Sequence, residues 1–142
     1  MKDLLIYTDG GCRPSNPGPG GWAYAIAIDG ETDLSAVTTD NGKSLWTTNN
    51  IMEMTATLRA FDWILTNNVP LNSVIIRPDS KYVLDGVTKY MENQKKKGWK
   101  NSDGKPTKNV ELWKEMYEKW YKVQKLVKSI KFVWVKGHSG DP

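Results

Sequence analysis

Residues 3–9, DLLIYTD, alternate, with Leu5, Tyr7 and Asp9 on one face and Leu4, Ile6 and Thr8 on the other. Both faces are largely apolar, the pattern of a central strand covered on both sides. A Gly/Pro-rich turn follows from Gly10 to Gly21. Residues 22–29 then alternate strictly, Trp22, Tyr24, Ile26 and Ile28 against Ala23, Ala25 and Ala27, and the alanine face predicts close approach of a helix. Residues 34–39 and 45–47 suit a third strand, which completes an antiparallel meander.

Thr48 or Asn49 can cap a helix over 51–66, where Ile51, Thr55, Leu58 and Leu65 recur at helical spacing; Asn67, Asn68 and Pro70 stop it. Val74, Ile75 and Ile76 predict a short buried strand that ends in Pro78 and Asp79 and feeds a helix from Ser80. A lysine-rich loop leads to an amphipathic helix over 110–127, with Trp113, Met116, Tyr117, Trp120 and Val127 on one face. Residues 129–135 read as the last strand. The order β-β-β-α-β-α-α-β predicts an α/β fold, a five-stranded mixed sheet flanked by helices, in one domain over residues 1–142.

Composition narrows the chemistry. A chain of 142 residues, 39% hydrophobic and 25% charged, can bury a core and lies outside the disordered range. No stretch has the apolar length of a membrane span and no signal-peptide pattern opens the chain, so a soluble, cytoplasmic protein is expected. One cysteine, Cys12, and one histidine, His138, exclude a disulfide framework and a Cys/His zinc cluster. A bound metal must therefore have oxygen ligands and be hard, such as Mg²⁺ or Mn²⁺.

The net charge of +4 is unevenly placed. Lys95, Lys96, Lys97, Lys100, Lys105 and Lys108 face a single acid, Asp103, within one segment, and the rest of the chain sums to about neutral. A solvated lysine loop and a polyanion-binding element both fit that charge. Trp99 favours the second, because an indole among lysines can stack on a sugar or base.

Two motif matches fail on context. Gly18 to Ala23 imitates a dinucleotide-binding glycine pattern, but a strand follows it, leaving no helix N-terminus for a pyrophosphate. His138, Ser139 and Asp141 are too close in sequence for a triad, and no nucleophile elbow accompanies them. Three carboxylates carry more. Singly, Asp9 is a turn residue at a strand end, Glu53 a charge in the first turn of a helix, and Asp79 an N-cap. Jointly, strands 1 and 4 are natural central neighbours, so these acids can converge at one edge of the sheet. Three carboxylates sharing a site need cations between them, which divalent metal ions supply.

The blocks YTDGGCRPSNPGPGGWA, TTNNIMEM, IIRPDSKYV, KKKGWK with KNVELW, and VWVKGHSGDP resemble, in order and spacing, those of the type 1 ribonuclease H family, in its bacterial subtype with a basic protrusion. The resemblance covers the whole chain. It implies a ribonuclease H-like fold and an endonuclease that cuts the RNA strand of RNA–DNA hybrids. It further implies two-metal-ion hydrolysis with Mg²⁺, or Mn²⁺ as substitute, leaving 5′-phosphate and 3′-hydroxyl ends.

Position by position, Asp9, Glu53 and Asp79 match metal-binding carboxylates, and His138 matches a loop histidine that helps to move protons or product. Cys12, Asn16, Asn49 and Asn50 match residues lining the minor groove on the RNA strand. Thr48 and Asn109 match a pocket for a phosphate of the DNA strand, and Lys95, Lys96, Lys97, Trp99 and Lys100 match the basic protrusion. Two positions depart from the pattern. Pro78 stands in place of a hydroxyl residue, and Ile51 where bacterial members often carry arginine.

The family pattern continues past His138 into a terminal helix bearing a fourth carboxylate, and the sequence given stops at Pro142, before either. A chain with that ending is expected to fold as a monomer, with one sheet face less covered and open to self-association, and to cleave weakly. The alternative is a module that binds hybrid or double-stranded nucleic acid with little or no catalysis. A structural adaptor is a further rival, against which the three acids argue.

Overall fold

The structure, a computed structural model, describes residues 2–28, 37–67 and 71–134. Five strands form one sheet: β1 (Lys2–Cys12), β2 (Gly18–Ile28), β3 (Thr38–Thr47), β4 (Leu71–Pro78) and β5 (Val127–Phe132). Their order is β3-β2-β1-β4-β5. The first three pair antiparallel, whereas β4 lies parallel to β1 and β5 parallel to β4. The mixed sheet and the central pairing of strands 1 and 4 are as the hydrophobic pattern predicts. Helix α1 (Asn49–Asn67) connects β3 to β4. After β4, α2 (Lys81–Asp85), a π-helical turn (Gly86–Tyr90) and α3 (Met91–Lys96) run on to α4 (Val110–Leu126).

One face of the sheet makes the core. Leu4, Ile6, Ile26, Val74 and Ile76 are buried against Met54, Leu58 and Phe61 of α1 and Trp113, Met116 and Val123 of α4. Among the described residues no helix packs on the alanine face of β2, the face the sequence pattern offers for close approach. Tyr24 and Ile26 fill the space under α1, while Ala25 and Ala27 stay half-buried and Ala23 exposed on the other side. Leu5, Tyr7 and Ile75 on that side are also only half-buried, so β1 is covered on one face among the described residues.

Several boundaries move for local reasons. Gly10, Gly11 and Cys12 pair with Trp22, Gly21 and Gly20, so the predicted long turn shrinks to residues 13–17. The third strand is continuous from Thr38 to Thr47 because residues 40–44 also pair with β2; residues 34–36 lie outside the described residues. Thr48 caps α1, its Oγ1 accepting the Ile51 N–H at 3.1 Å. The helix therefore begins at Asn49, and Glu53 occupies its second turn rather than its first. Of the predicted stripe on α1 only Leu58 is fully buried; Ile51, Thr55 and Leu65 flank the buried face. Lys95 and Lys96 end a helix instead of opening a loop, and Val127 starts β5 instead of closing α4. The last strand ends at Phe132, although Val133 N–H still donates to the Ile76 carbonyl at 2.8 Å.

A charged cluster ties α1 to α4. Arg59 reaches Glu115 at 2.9 Å, and Lys119 reaches Asp62 at 2.5 Å and Glu115 at 2.6 Å. Burial works against the Lys119 ammonium, but its hydrogen bonds to Asp62 and Glu115 outweigh it and raise its pKa. Both cross-links advance along both helices in the same sense, so α1 and α4 run parallel. Their N-termini, next to Thr48 and Asn109, lie at the same end of the layer.

Candidate active site

The parallel register sets the first two acids. Thr8 of β1 stands beside Pro78 of β4, and the Asp79 N–H donates to the Thr8 carbonyl at 3.1 Å. Asp9 and Asp79 therefore leave adjacent strands at neighbouring positions. The third acid comes from above. Gly10 has no side chain, and the Met52–Glu53 peptide of α1 occupies the space where a β-carbon would stand. Asp9, Glu53 and Asp79 each offer a carboxylate oxygen within 4.8 Å of the others.

The ordinary explanations for Asp79 and Glu53 do not hold here. Ser80, not Asp79, caps α2, its Oγ accepting the Tyr82 N–H at 3.0 Å. Glu53 is not a solvated charge at a helix end: it is buried, and its Oε2 has no hydrogen-bond partner among the described residues. Burial, then the charges of Asp79 and Asp9, push the Glu53 carboxyl up to about 8. An orphaned buried oxygen beside two further carboxylates is a donor set that suits a hard divalent cation.

The acids sit in an open cleft of about 1420 Å³, larger than the roughly 300–1,000 Å³ of a small-molecule pocket. Cys12, Asn49 and Asn50 line the same cleft. The Cys12 N–H donates to Asn49 Oδ1 at 2.7 Å, and the Asn49 N–H donates to Asn16 Oδ1 at 3.0 Å. These bonds fasten the 13–17 turn to the start of α1, so three of the four predicted groove-lining residues form one connected set. Thr48 is one residue away. Its hydroxyl accepts from Ile51 and keeps its own proton to donate.

Asn109 lies outside the cleft, at the start of α4, in the left-handed region at φ 58°. Its Nδ2 donates to the Tyr82 hydroxyl at 3.1 Å, and Trp113 Nε1 donates to the same oxygen at 3.2 Å. Lys95, Lys96, Lys97 and Lys100 are all exposed, and Lys95 Nζ also lies 4.6 Å over the Tyr117 ring. Trp99 is half-buried with its ring 6.1 Å from that of Tyr117, edge to face, so packing accounts for part of what its sequence setting assigned to a ligand. His138 lies outside the described residues.

Sequence reasoning missed Arg13, Trp22 and Ser80, which also line the cleft, and Tyr82, which anchors Asn109. Arg13 was findable as the only cation of the Gly/Pro turn beside Asp9. Tyr82 carried no signal, because its role depends on a partner 27 residues away.

Comparison with known proteins places the chain among relatives. A family model described as RNase H matches residues 1–142. The chain is 45% identical to a ribonuclease H of Alcanivorax borkumensis over 142 residues, all of this chain and 84% of that protein. It is 41% identical to a ribonuclease H of Ruthia magnifica, over 99% of this chain and 87% of that one. Among solved structures, LC9-RNase H1, a type 1 RNase H with the type 2 active-site motif, is similar with a TM-score of 0.77 at 24% identity, covering 99% of this chain and 65% of that one. LC11-RNase H1 in complex with RNA/DNA hybrid is similar with a TM-score of 0.64 at 22% identity, covering 97% and 88%. No described helix is long and apolar enough to cross a membrane.

Proposed function

The chain belongs to the RNase H family, and we propose that it hydrolyses the RNA strand of RNA–DNA hybrids at Asp9, Glu53 and Asp79, with two divalent ions, leaving 5′-phosphate and 3′-hydroxyl ends. The observation that carries this reading is the convergence of the three acids in one open cleft.

Asp9 and Asp79 from the central strand pair and Glu53 from α1 would together hold the divalent ions. When bound, Mg²⁺, or Mn²⁺ in its place, supplies an activated water for in-line attack and neutralises charge at the leaving 3′-oxygen. The protein's own groups select and position. Cys12, Asn16, Asn49 and Asn50 line the path of the RNA strand, whose 2′-hydroxyls distinguish it from DNA. The Thr48 hydroxyl donates to a phosphate of the DNA strand, where the positive ends of α1 and α4 favour an anion. Lys96, Lys97 and Lys100 add affinity that does not depend on sequence. His138 is assigned to proton or product movement.

The test is cleavage of a hybrid labelled on its RNA strand, with and without Mg²⁺. Metal-dependent shortening of that strand, with product mobility changed by phosphatase, is the expected result. Intact RNA at saturating Mg²⁺ and Mn²⁺ overturns the reading.

A further inference from the structure

The outer face of α4 carries groups that the cleft does not use. Lys114, Tyr117, Tyr121 and Lys125 recur three and four residues apart and share one stripe. They line a groove of about 460 Å³ whose other wall is the protrusion, through Lys95 and Trp99. The rings of Tyr117 and Tyr121 lie 4.7 Å apart and Trp99 meets Tyr117 edge-on, so three aromatics make one strip. Lys122 also lines the groove, paired at 3.1 Å with Glu118, the acid of the lining.

Trp99 is held there at a backbone cost. Its φ is 63°, a left-handed conformation uncommon for a bulky residue. Its N–H donates to the Gln94 carbonyl at 2.8 Å, and its carbonyl accepts the Thr107 N–H at 2.9 Å. Those bonds fix the indole against α4 and keep the groove's wall in place.

We propose that this groove binds a single nucleic-acid strand, with phosphates on the lysines and a base stacked on Tyr121. Rings interleaved with cations along one stripe suit a strand of bases better than an acidic peptide, which would use the charges and leave the rings idle. Tyr121 is 37% exposed, which leaves ring surface for a base. Lys95 and Trp99 belong to both groove and protrusion, so the groove extends that basic surface onto α4. Its ligand is held independently of hydrolysis at the carboxylates.

The experiment is fluorescence anisotropy of the full chain with a dye-labelled oligothymidylate in EDTA. Tyr121→Ala is expected to weaken binding roughly five- to hundredfold, and Tyr121→Phe to restore it, with unchanged melting temperatures. Lys114→Ala with Lys125→Ala is expected to shrink the slope of log affinity against log salt by about 1.4. Equal binding by wild type and Tyr121→Ala overturns the proposal. So does displacement of the oligomer by polyglutamate at equal charge concentration, which would mark a general polyanion surface. Failure of hybrid cleavage bears on the carboxylate reading alone.

Discussion

Gly10 lies directly beneath the backbone of Glu53: a β-carbon on Gly10 would stand 2.6 Å from the Glu53 nitrogen and 2.4 Å from the Met52 carbonyl carbon. Both are main-chain atoms of α1 and cannot swing aside as a side chain could. The absence of one methyl group thus sets the spacing between β1 and α1, and with it the distance from Asp9 to Glu53. Gly10→Ala is expected to lower stability by about 1–3 kcal/mol, the usual cost of overpacking. It is also expected to depress cleavage beyond the loss of folded protein, because the displaced helix carries Glu53 away. Melting temperature and initial rate on folded protein check both. A variant that keeps both values would show that α1 can shift without consequence.

Asp9→Asn separates binding from chemistry. Removing one of the three carboxylates of the cluster should cost about 4 kcal/mol of barrier, roughly a thousandfold in rate. Hybrid binding should persist or tighten, since one negative charge facing the phosphates is gone. Without metal the three acids repel one another, so the variant should also melt higher than wild type in EDTA. Near-normal Mg²⁺-dependent turnover would remove Asp9 from the centre.

Glu53 makes the metal-free protein sensitive to pH. Its folded pKa of about 8 lies above the ordinary value of 4.5, through burial first and then Asp79 and Asp9. Between those values the folded protein holds a proton that the unfolded chain has released. The contribution is complete below about 4.5 and is lost as pH rises through about 8, with a slope of at most about 1.4 kcal/mol per pH unit. In EDTA the melting temperature should therefore fall from pH 5 to 8, and Glu53→Gln should flatten that trend. Metal binding requires the ionised carboxylate, so Mg²⁺ should stabilise wild type more at pH 8 than at pH 6. Parallel melting curves for wild type and Glu53→Gln would exclude this residue as the cause.

The strands were legible because their period survives burial on one face: Leu4 and Ile6, Tyr24 and Ile26, and Val74 and Ile76 all point inward as their alternation requires. Which layer covers a face was not, since alanines on β2 invite a helix as readily as they tolerate solvent. The acids were legible jointly, through strand adjacency, while the burial of Glu53 was hidden by misplacing the start of α1 by two residues. Gly10 read as a turn glycine, whereas its constraint comes from a helix some forty residues on. The groove on α4 was partly legible: Tyr117 was assigned to the core face, yet its ring lies at the boundary, where Lys95 covers it.

The protrusion divides its lysines by partner, which sharpens what their loss should do. Lys95, Lys96 and Lys97 are all exposed, and Lys95 Nζ also sits over the Tyr117 ring. A phosphate contact contributes about 0.9 to the slope of log affinity against log salt for a duplex. Lys96→Ala with Lys97→Ala should then reduce the slope for hybrid binding by about 1.8 and leave the rate at saturating substrate nearly unchanged. Adding Lys95→Ala should reduce it by less than a further 0.9, because that charge is already engaged by an aromatic face. The triple variant should instead lose stability through the Tyr117 contact, readable as a lower melting temperature that the double variant lacks. Titrations of a labelled hybrid at four salt concentrations, without metal, measure all three slopes. An unchanged slope in the double variant would make Lys96 and Lys97 solvated surface and leave the hybrid to be held by the cleft alone.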